Sequence, residues 1–164
     1  MRLDGEVYRL ADGYVSVAVP DVPASRAAAL LATRPRRLIA ARRTAAWIWG
    51  ARGSSPARGE YLVDLSARWQ PAPSEGLDVI ESVVHPGDVT SLAGSSVTTP
   101  LRTAVDLARF RSTFDEQDAD AVRQLADIGD FGLTDAIESM ERSRNLSGKL
   151  RATRRLAGCL VSPN

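Results

Sequence analysis

The chain has 164 residues, of which 44% are apolar and 25% are charged, and its formal net charge is +1. This length predicts one domain with a buried core, and the composition is typical of a globular protein. The sequence has no apolar run long enough for a membrane span, and its charge is far below that of a strongly basic nucleic-acid binder. The charge is uneven, because residues 1–70 contain 11 Arg and 6 acidic residues, whereas acids are in excess in residues 71–164.

Two features predict a cytoplasmic protein that does not associate with a membrane. The N-terminal sequence MRLDGEVYRL has an acidic fourth residue and no apolar segment of signal-peptide length. The single cysteine, Cys159, has no partner for an internal disulfide, and we expect it to be a small core residue of the last helix.

A β-hairpin is predicted at the N-terminus. Residues 5–10 and 14–19 have the composition of short strands and are separated by Ala11-Asp12-Gly13, and Asp-Gly is a strong signal for a tight hairpin turn. A helix is expected to follow, from residue 21 or 23 to about residue 33, because Pro20 and Pro23 end the hairpin.

The next helix is predicted at residues 41–49, with Arg42 and Arg43 at its start, Trp47 and Trp49 at its end and Gly50 as its stop. Basic residues beside aromatic ones are compatible with a nucleic-acid stacking surface, but aromatic residues in this position are more often core anchors. Positive charges at a helix start oppose the helix dipole, so they are either functional or paired elsewhere in the fold.

Six arginines of the basic half are candidates for binding nucleic acid or a protein partner. Two of them lie in the turn-rich stretch 50–59, which lacks the Gly-Lys-Ser/Thr ending of a phosphate-binding loop and is expected to be a surface loop that exposes both side chains. The full candidate set is Arg36, Arg37, Arg42, Arg43, Arg52 and Arg58.

Strands are predicted at residues 60–66 and 77–84. In the first, Tyr61, Val63 and Leu65 share one face, and Leu62 and Asp64 share the other. Trp69, in the polar loop between the two strands, is expected to cover the core.

A turn is predicted at His85-Pro86-Gly87-Asp88, directly after the second of these strands. His85 is the only histidine, and no Gly-x-Ser-x-Gly or comparable nucleophile motif accompanies it. We therefore interpret it as a hydrogen-bonded structural imidazole rather than a general base.

Residues 96–111 contain a strand end followed by a helix. Val97 and Thr98 suit the strand, the Thr99 hydroxyl can cap the helix, and Pro100 fits the first helical position. On a helical wheel the apolar residues of this helix form one face and three charged residues lie opposite. These three, Arg102, Asp106 and Arg109, are spaced for ion pairs and are expected to form a solvent-exposed ladder.

The remainder is predicted to be helical. Helices are expected at residues 115–128, at residues 134–143 with Thr134 as cap, and after Ser147. The second of these would carry an ion pair between Glu138 and Arg142. In the last helix we expect Leu150, Leu156 and Leu160 to form an inward apolar face. We expect an outward basic strip of Lys149, Arg151, Arg154 and Arg155.

The sequence offers little catalytic or metal-binding chemistry. Four acids at the start of the helix at 115–128 could ligate a hard cation, but the helix dipole favours acids there without a metal. These are Asp115, Glu116, Asp118 and Asp120. One His, one Cys and one Lys are too few for a structural zinc site or a nuclease-type acid and lysine cluster. We expect a protein that is not an enzyme, with no metal and no cofactor.

The succession of elements predicts an α+β fold, with an N-terminal β-hairpin, a small mixed sheet and a helical C-terminal half.

The segment after residue 96 reads VTTPLRTAVDLARF and resembles the Val-Thr-Ser-Pro-x-Arg-Thr-x-x-Asp-Leu-Ala signature of actinobacterial AbiEi-like antitoxins of type IV toxin–antitoxin systems. Three further segments resemble parts of that family in the same order: LIAARRTAAWIWGA, VIESVVH and the tail LRATRRLAGCLVSP. Among the residues that match the signature, the resemblance singles out Thr98, Pro100, Arg102, Thr103 and Asp106 as candidate site residues.

This resemblance implies a wing-like β-hairpin remnant at residues 1–20 and an AbiEi-like antitoxin C-terminal-type α/β domain at residues 21–164. The family's winged helix-turn-helix binds its own promoter, but its recognition helix has no counterpart here. The resemblance thus implies a non-enzymatic antitoxin or transcriptional regulator that acts by macromolecular interaction, with a cognate toxin or DNA as partner. Two alternatives are a DNA-binding autoregulator that uses the basic half and a non-catalytic remnant of a nuclease-containing relative.

Overall fold

The computed structural model describes residues 7–10, 13–16, 19–32, 34–67, 76–143 and 146–161. Within these ranges the chain forms an α+β fold, as the sequence predicts. The strands are β1 (Val7–Leu10), β2 (Gly13–Ser16), β3 (Ile39–Ala40), β4 (Glu60–Asp64), β5 (Asp78–Ser82), β6 (Val89–Leu92) and β7 (Ser95–Thr98). The α-helices are α1 (Pro23–Leu31), α2 (Arg42–Trp49), α3 (Pro100–Phe110), α4 (Glu116–Gly129), α5 (Leu133–Glu141) and α6 (Lys149–Leu160), and Leu65–Ala67 forms a 3-10 helix.

The first two strands pair antiparallel, with Val7 opposite Ser16 and Leu10 opposite Gly13, which confirms the hairpin. Its predicted turn residues Ala11 and Asp12 lie outside the described residues, and so does Trp69. Helix α1 lies beside this hairpin.

The second sheet has the strand order β5-β4-β3-β7-β6. Its centre is the two-residue strand β3, which runs antiparallel to β4 and parallel to β7. Strand β5 extends the sheet in parallel beside β4, and β6 closes the other edge antiparallel to β7. Strand β6 escaped sequence prediction because VTSL is short and only partly buried.

Both faces of β4 are covered. Tyr61 and Val63 pack with α1 and α2, and Leu62 packs on the opposite face with Ile39. The predicted alternation is therefore confirmed over Tyr61, Leu62 and Val63. The strand predicted at residues 60–66 ends at Asp64, however, and Leu65 lies in the following 3-10 helix with 46% of its surface exposed.

The helical half has its own core between α3, α4, α5 and α6, in which Leu107, Val122, Leu125, Met140 and Leu156 are buried. None of the helices in the described ranges is long and apolar enough to span a membrane.

Three helix ends agree with the sequence prediction. Gly50 ends α2 with a φ of +86°, a conformation that glycine adopts without steric cost. Thr99 caps α3 by accepting a hydrogen bond from the N–H of Arg102, and Pro100 is its first residue. Asp115 caps α4 by accepting from the N–H of Asp118 at 2.9 Å.

Two predicted caps were wrong. Helix α5 starts after Gly132, not at Thr134, because the N–H of Gly132 donates to the Asp135 carboxylate at 2.7 Å and fixes the first turn there. Helix α6 starts after Gly148 rather than Ser147.

The outer face of α6 also differs from expectation. Leu150 is 66% exposed, whereas Leu156 is fully buried as predicted. The basic strip is partly engaged, because Arg155 donates to the carbonyl oxygens of Ala108 and Arg111 at the end of α3. Such cationic donors satisfy carbonyl groups that a helix C-terminus leaves without partners.

Candidate functional site

The charged side of α3 is buried, which corrects the prediction of a solvent-exposed ladder. Arg102, Asp106 and Arg109 have exposed fractions of 6%, 0% and 4%. The predicted pairs do form, since Arg102 Nε lies 2.9 Å from Asp106 Oδ2 and Arg109 Nη1 lies 3.2 Å from Asp106 Oδ1. The helical wheel gives the spacing of these groups correctly but cannot show that other segments cover them.

Arg102 connects α3 to the β5–β6 connection. Its Nη1 donates to Asp88 Oδ2 at 2.5 Å and to the carbonyl oxygen of Val83 at 3.1 Å, and its Nη2 donates to Ser82 Oγ at 2.8 Å. A buried guanidinium is tolerated when its donors are satisfied by charged and polar acceptors in this way.

Asp88 is the second buried acid of this cluster and is 2% exposed. It accepts from Arg102, from Arg142 Nη2 at 3.0 Å and from the backbone N–H of His85 at 2.9 Å. Arg142 thus pairs with Asp88, whereas the sequence analysis predicted a pair with Glu138. We call Asp88, Arg102, Asp106, Arg109 and Arg142 the α3 cluster.

His85 is hydrogen-bonded on both its side chain and its backbone, as the sequence predicts for its side chain. Its Nε2 lies 2.9 Å from Ser143 Oγ, and its carbonyl oxygen accepts from the N–H of Asp88 in the predicted turn. The imidazole therefore joins the β5–β6 connection to the end of α5.

The two threonines of the signature segment hold the junction between β7 and α3. Thr98 and Thr103 are fully buried, and their hydroxyl oxygens lie 2.7 Å apart. Trp49 Nε1 donates to the carbonyl oxygen of Thr98 at 2.8 Å, and Trp47 is 4% exposed. Both tryptophans therefore belong to the core, which confirms the interpretation that the sequence favoured over a nucleic-acid stacking surface.

Arg42 is buried and paired at the start of α2. Its Nη1 and Nη2 donate to the side chain and the carbonyl oxygen of Asp78 at 2.9 and 3.0 Å, and its Nε lies 3.8 Å from Glu60 Oε2. Its φ is +48°, a backbone conformation that costs free energy for a residue with a side chain.

Arg43 pairs across the molecule with the start of α4. Its Nε and Nη2 contact the two oxygens of Asp118 at 2.8 and 2.6 Å, and its Nη2 also lies 3.0 Å from Asp115 Oδ2. Asp118 is fully buried and accepts a further bond from Arg52 at 3.2 Å. The prediction that Arg52 is exposed on a surface loop was therefore wrong, because only 13% of its side chain is exposed and it pairs with Asp118.

A second buried ion-pair cluster results, which sequence reasoning did not assemble. Arg111 contributes to it through Glu60, whose Oε1 accepts at 2.9 Å. The sequence did contain a signal, namely two arginines that oppose the dipole at the start of α2 and several acids at the start of α4. We call Arg42, Arg43, Arg52, Glu60, Arg111 and Asp118 the α2–α4 cluster.

The remaining candidates of the basic half are exposed but are not brought together. Arg36 and Arg37 precede β3, and Arg58 precedes β4 and donates to the carbonyl oxygen of Leu77. Because β3 and β4 are antiparallel, with Ile39 opposite Leu62, these groups lie at opposite ends of the pair. The structure does not unite the six arginines on one face.

A cavity of about 540 Å³ lies beside the α3 cluster. Its walls come from β5 and the β5–β6 connection, from α3, and from α5 with the segment that follows it. In the described ranges, no group of three or more His, Cys, Asp or Glu side chains is placed to hold a metal ion. Burial raises the pKa of the Cys159 thiol, which lowers the fraction of reactive thiolate.

Comparison of the chain with protein-family models and with curated proteins gives no match.

Proposed function

We propose that the chain is a non-enzymatic AbiEi-like antitoxin or transcriptional-regulator domain that acts by macromolecular interaction in the cytoplasm. One observation carries this proposal: the side chains that match the family signature are used to hold the fold together. Thr98, Thr103, Arg102 and Asp106 are buried and bonded to one another or to neighbouring elements. Residues in this role would hold the scaffold that carries an interaction surface.

The engagement of the charged groups supports a role without catalysis. A general acid or base needs a proton that it can exchange with a substrate, and a nucleophile needs an activating neighbour. Asp88, Asp106 and Asp118 instead accept hydrogen bonds from several arginines each. These carboxylates balance buried positive charge, so we do not assign them to a reaction.

A toxicity assay tests the antitoxin function. The protein encoded beside this chain would be expressed with and without it in a host strain, and growth would be followed. We expect the wild-type chain to restore growth, and the exposed double variant Arg36→Gln/Arg37→Gln to restore it equally, because this suppression does not require DNA contacts. A wild-type chain that is folded and abundant in the cells yet leaves the growth defect unchanged would rule out the antitoxin function.

A second candidate is DNA-binding autoregulation, favoured by the exposure of Arg36 and Arg37 on the segment that follows α1, the helix beside the hairpin. Alanine substitution of Arg42 and Arg43 is a poor test of this candidate, because both side chains are engaged in buried or half-buried pairs. Arg36 and Arg37 are better positions, since their exposure separates DNA binding from folding.

Fluorescence anisotropy with the chain's own upstream duplex and a scrambled duplex measures this binding. If Arg36 and Arg37 contact phosphates, their replacement by Gln should reduce the slope of log affinity against log salt by about 0.9 for each contact. An Arg123→Gln variant is the control, because Arg123 is an exposed arginine of α4. Equal affinity of wild type and double variant, or no preference for the chain's own DNA, would contradict autoregulation through these residues.

A further inference from the structure

The cavity beside the α3 cluster has the size and the lining of a small-molecule site. Its volume of about 540 Å³ falls within the range of roughly 300–1,000 Å³ that is usual for ligand pockets. Apolar side chains, among them Val105, Phe110 and Met140, form one part of the lining. Arg102, Arg109 and Arg142 are polar groups of the same lining.

The α3 cluster contains more arginines than acids. In the α3 cluster, three guanidinium groups share two carboxylates, because Arg102 and Arg109 both contact Asp106 and Arg102 and Arg142 both contact Asp88. The four buried members, two arginines and two aspartates, balance, so the one positive charge in excess is that of the half-exposed Arg142. Glu81 also lines the cavity, but it is exposed to solvent and has no ion pair to this cluster within the described residues.

Arg109 makes the fewest hydrogen bonds of these three arginines, and its guanidinium lies 4.4 Å from the centroid of the Phe110 ring. Its Nε donates to the carbonyl oxygen of Ser147 and its Nη1 to Asp106, while its Nη2 has no hydrogen-bond partner in the described part of the chain. Burial is the main influence that lowers the pKa of Arg109, and the positive charge of Arg102 acts in the same direction. An anion in the cavity would relieve this cost.

Arg142 offers the second set of donors. Its Nη2 is held by Asp88 and Ser139, and its Nη1 has no partner among the residues described. With 44% of its side chain exposed, Arg142 lies where a ligand would enter from solvent. Arg109 of α3 and Arg142 after α5 therefore line one cavity, and each has a terminal nitrogen without a hydrogen-bond partner among the described residues.

We propose that this cavity binds a small organic carboxylate, whose carboxylate group is held by Arg109 and Arg142 and whose apolar body packs against Val105, Phe110 and Met140. A monoanion matches the single excess charge, and a planar carboxylate matches the planar donor fork of a guanidinium. The apolar wall requires a hydrophobic body, such as an aromatic ring. This site is independent of the antitoxin or regulator function proposed above.

Titration followed by ¹H–¹⁵N NMR tests the site with phenylacetate as the probe, phenylacetamide as its uncharged analogue and inorganic phosphate as an anion without an apolar body. We expect phenylacetate to shift the resonances of Val105, Phe110 and Met140, and phenylacetamide to bind about tenfold more weakly, because it lacks the charge-assisted bonds. Tighter binding of phosphate at the same residues would overturn the assignment to a carboxylate.

Matched variants locate the site. Arg142→Gln should weaken phenylacetate binding by about tenfold, whereas Arg123→Gln should leave it unchanged, because Arg123 is equally exposed, at 43%, but does not line the cavity. Val83→Trp should abolish binding by filling the cavity from a position that is half exposed. Undiminished binding to folded Arg142→Gln or Val83→Trp protein would overturn the proposal. So would the absence of any resonance shift in wild type at about 10 mM phenylacetate, a concentration that corresponds to a binding free energy of only about −3 kcal/mol.

Discussion

Asp106 is the single acceptor that two guanidinium groups of α3 share, and it has no exposed surface. The burial of a carboxylate raises its pKa, and here Arg102 and Arg109 oppose that effect by favouring the charged form. Removal of the negative charge would leave two buried cations with too few acceptors. The stability of the cluster should therefore depend on this residue more than on any single exposed ion pair.

We expect Asp106→Asn to lower the free energy of unfolding by about 3–5 kcal/mol. Its control is Asp120→Asn, which removes an exposed partner of Arg123 on α4 and should cost no more than about 1 kcal/mol. Urea unfolding followed by circular dichroism measures both values. Equal costs for the two variants would show that burial adds nothing to the α3 cluster.

At the scale of single residues, the sequence predicted the pairing of Arg102 with Asp106 but not their burial. Spacing along a helix determines which side chains of that helix meet. Which segments cover them depends on distant parts of the chain: Asp88 precedes Arg102 by 14 positions, and Asp118 follows Arg43 by 75. For this reason Asp88 as the acceptor of Arg102, and Asp118 as the acceptor of Arg43, became visible only in the fold.

Among the elements, α4 shows how one capping residue links a helix to the rest of the molecule. Asp115 accepts from the N–H of Asp118 and also lies 3.0 Å from Arg43. The backbone hydrogen bond is the largest influence that lowers the pKa of Asp115, and Arg43 and Arg52 add to it. The charged form is therefore more favourable in the folded state than in the unfolded chain.

The sign of the pH dependence follows from this lowered pKa. The stabilisation by charged Asp115 is fully present above the unfolded-state pKa of about 3.9, and it is lost as the pH falls through the lower folded-state pKa. At pH 7 we expect Asp115→Ala to cost about 1 kcal/mol, and Asp115→Asn less, because asparagine also caps helices well.

Urea unfolding at pH 7 and below pH 4 tests this cap. The difference between wild type and Asp115→Asn should shrink at the lower pH, because the wild-type carboxylate is then becoming protonated. A difference that grows on acidification would contradict the assigned direction.

Elements with strong local signals were predictable, and those without them were not. A threonine before Pro100 predicted the start of α3 because both residues act within one turn. In contrast, the capping residues before α5 and α6 are glycines, whereas nearby Thr134 and Ser147 are the stronger capping signals in the sequence. The place of β6 in the sheet depends on its pairing with β7, which the four residues of β6 do not determine by themselves.

On the scale of the whole molecule, the two buried clusters join the sheet to the helices. The α3 cluster connects α3 with the β5–β6 connection, and the α2–α4 cluster connects β4 and α2 with α4. Each cluster loses its ion pairs if the elements on either side of it separate. The core between the sheet, α1 and α2 and the core of the helical half should therefore unfold together.

Coincident unfolding can be measured with two probes in a Trp69→Phe background, in which Trp47 and Trp49 report on α2 and far-ultraviolet circular dichroism reports mainly on the helices. We expect one urea midpoint for both probes. Asp118→Asn should lower both midpoints equally, because it weakens the contact between α2 and α4. A fluorescence midpoint that separates from the dichroism midpoint would show that the two cores unfold independently.

Strand β3 has a consequence for how fast this chain can fold. Its two residues lie between β4 and β7, and Ala40 pairs with Val97, so the centre of the sheet closes only when two segments that are far apart in the sequence meet. The β6–β7 hairpin can form locally, but the chain entropy lost in bringing Ala40 to Val97 is regained through very few contacts. The search for this central register should therefore limit the rate of folding. Although about half of the chain is helical, we expect it to refold on the slower timescale of proteins whose β-strands pair over long sequence separations.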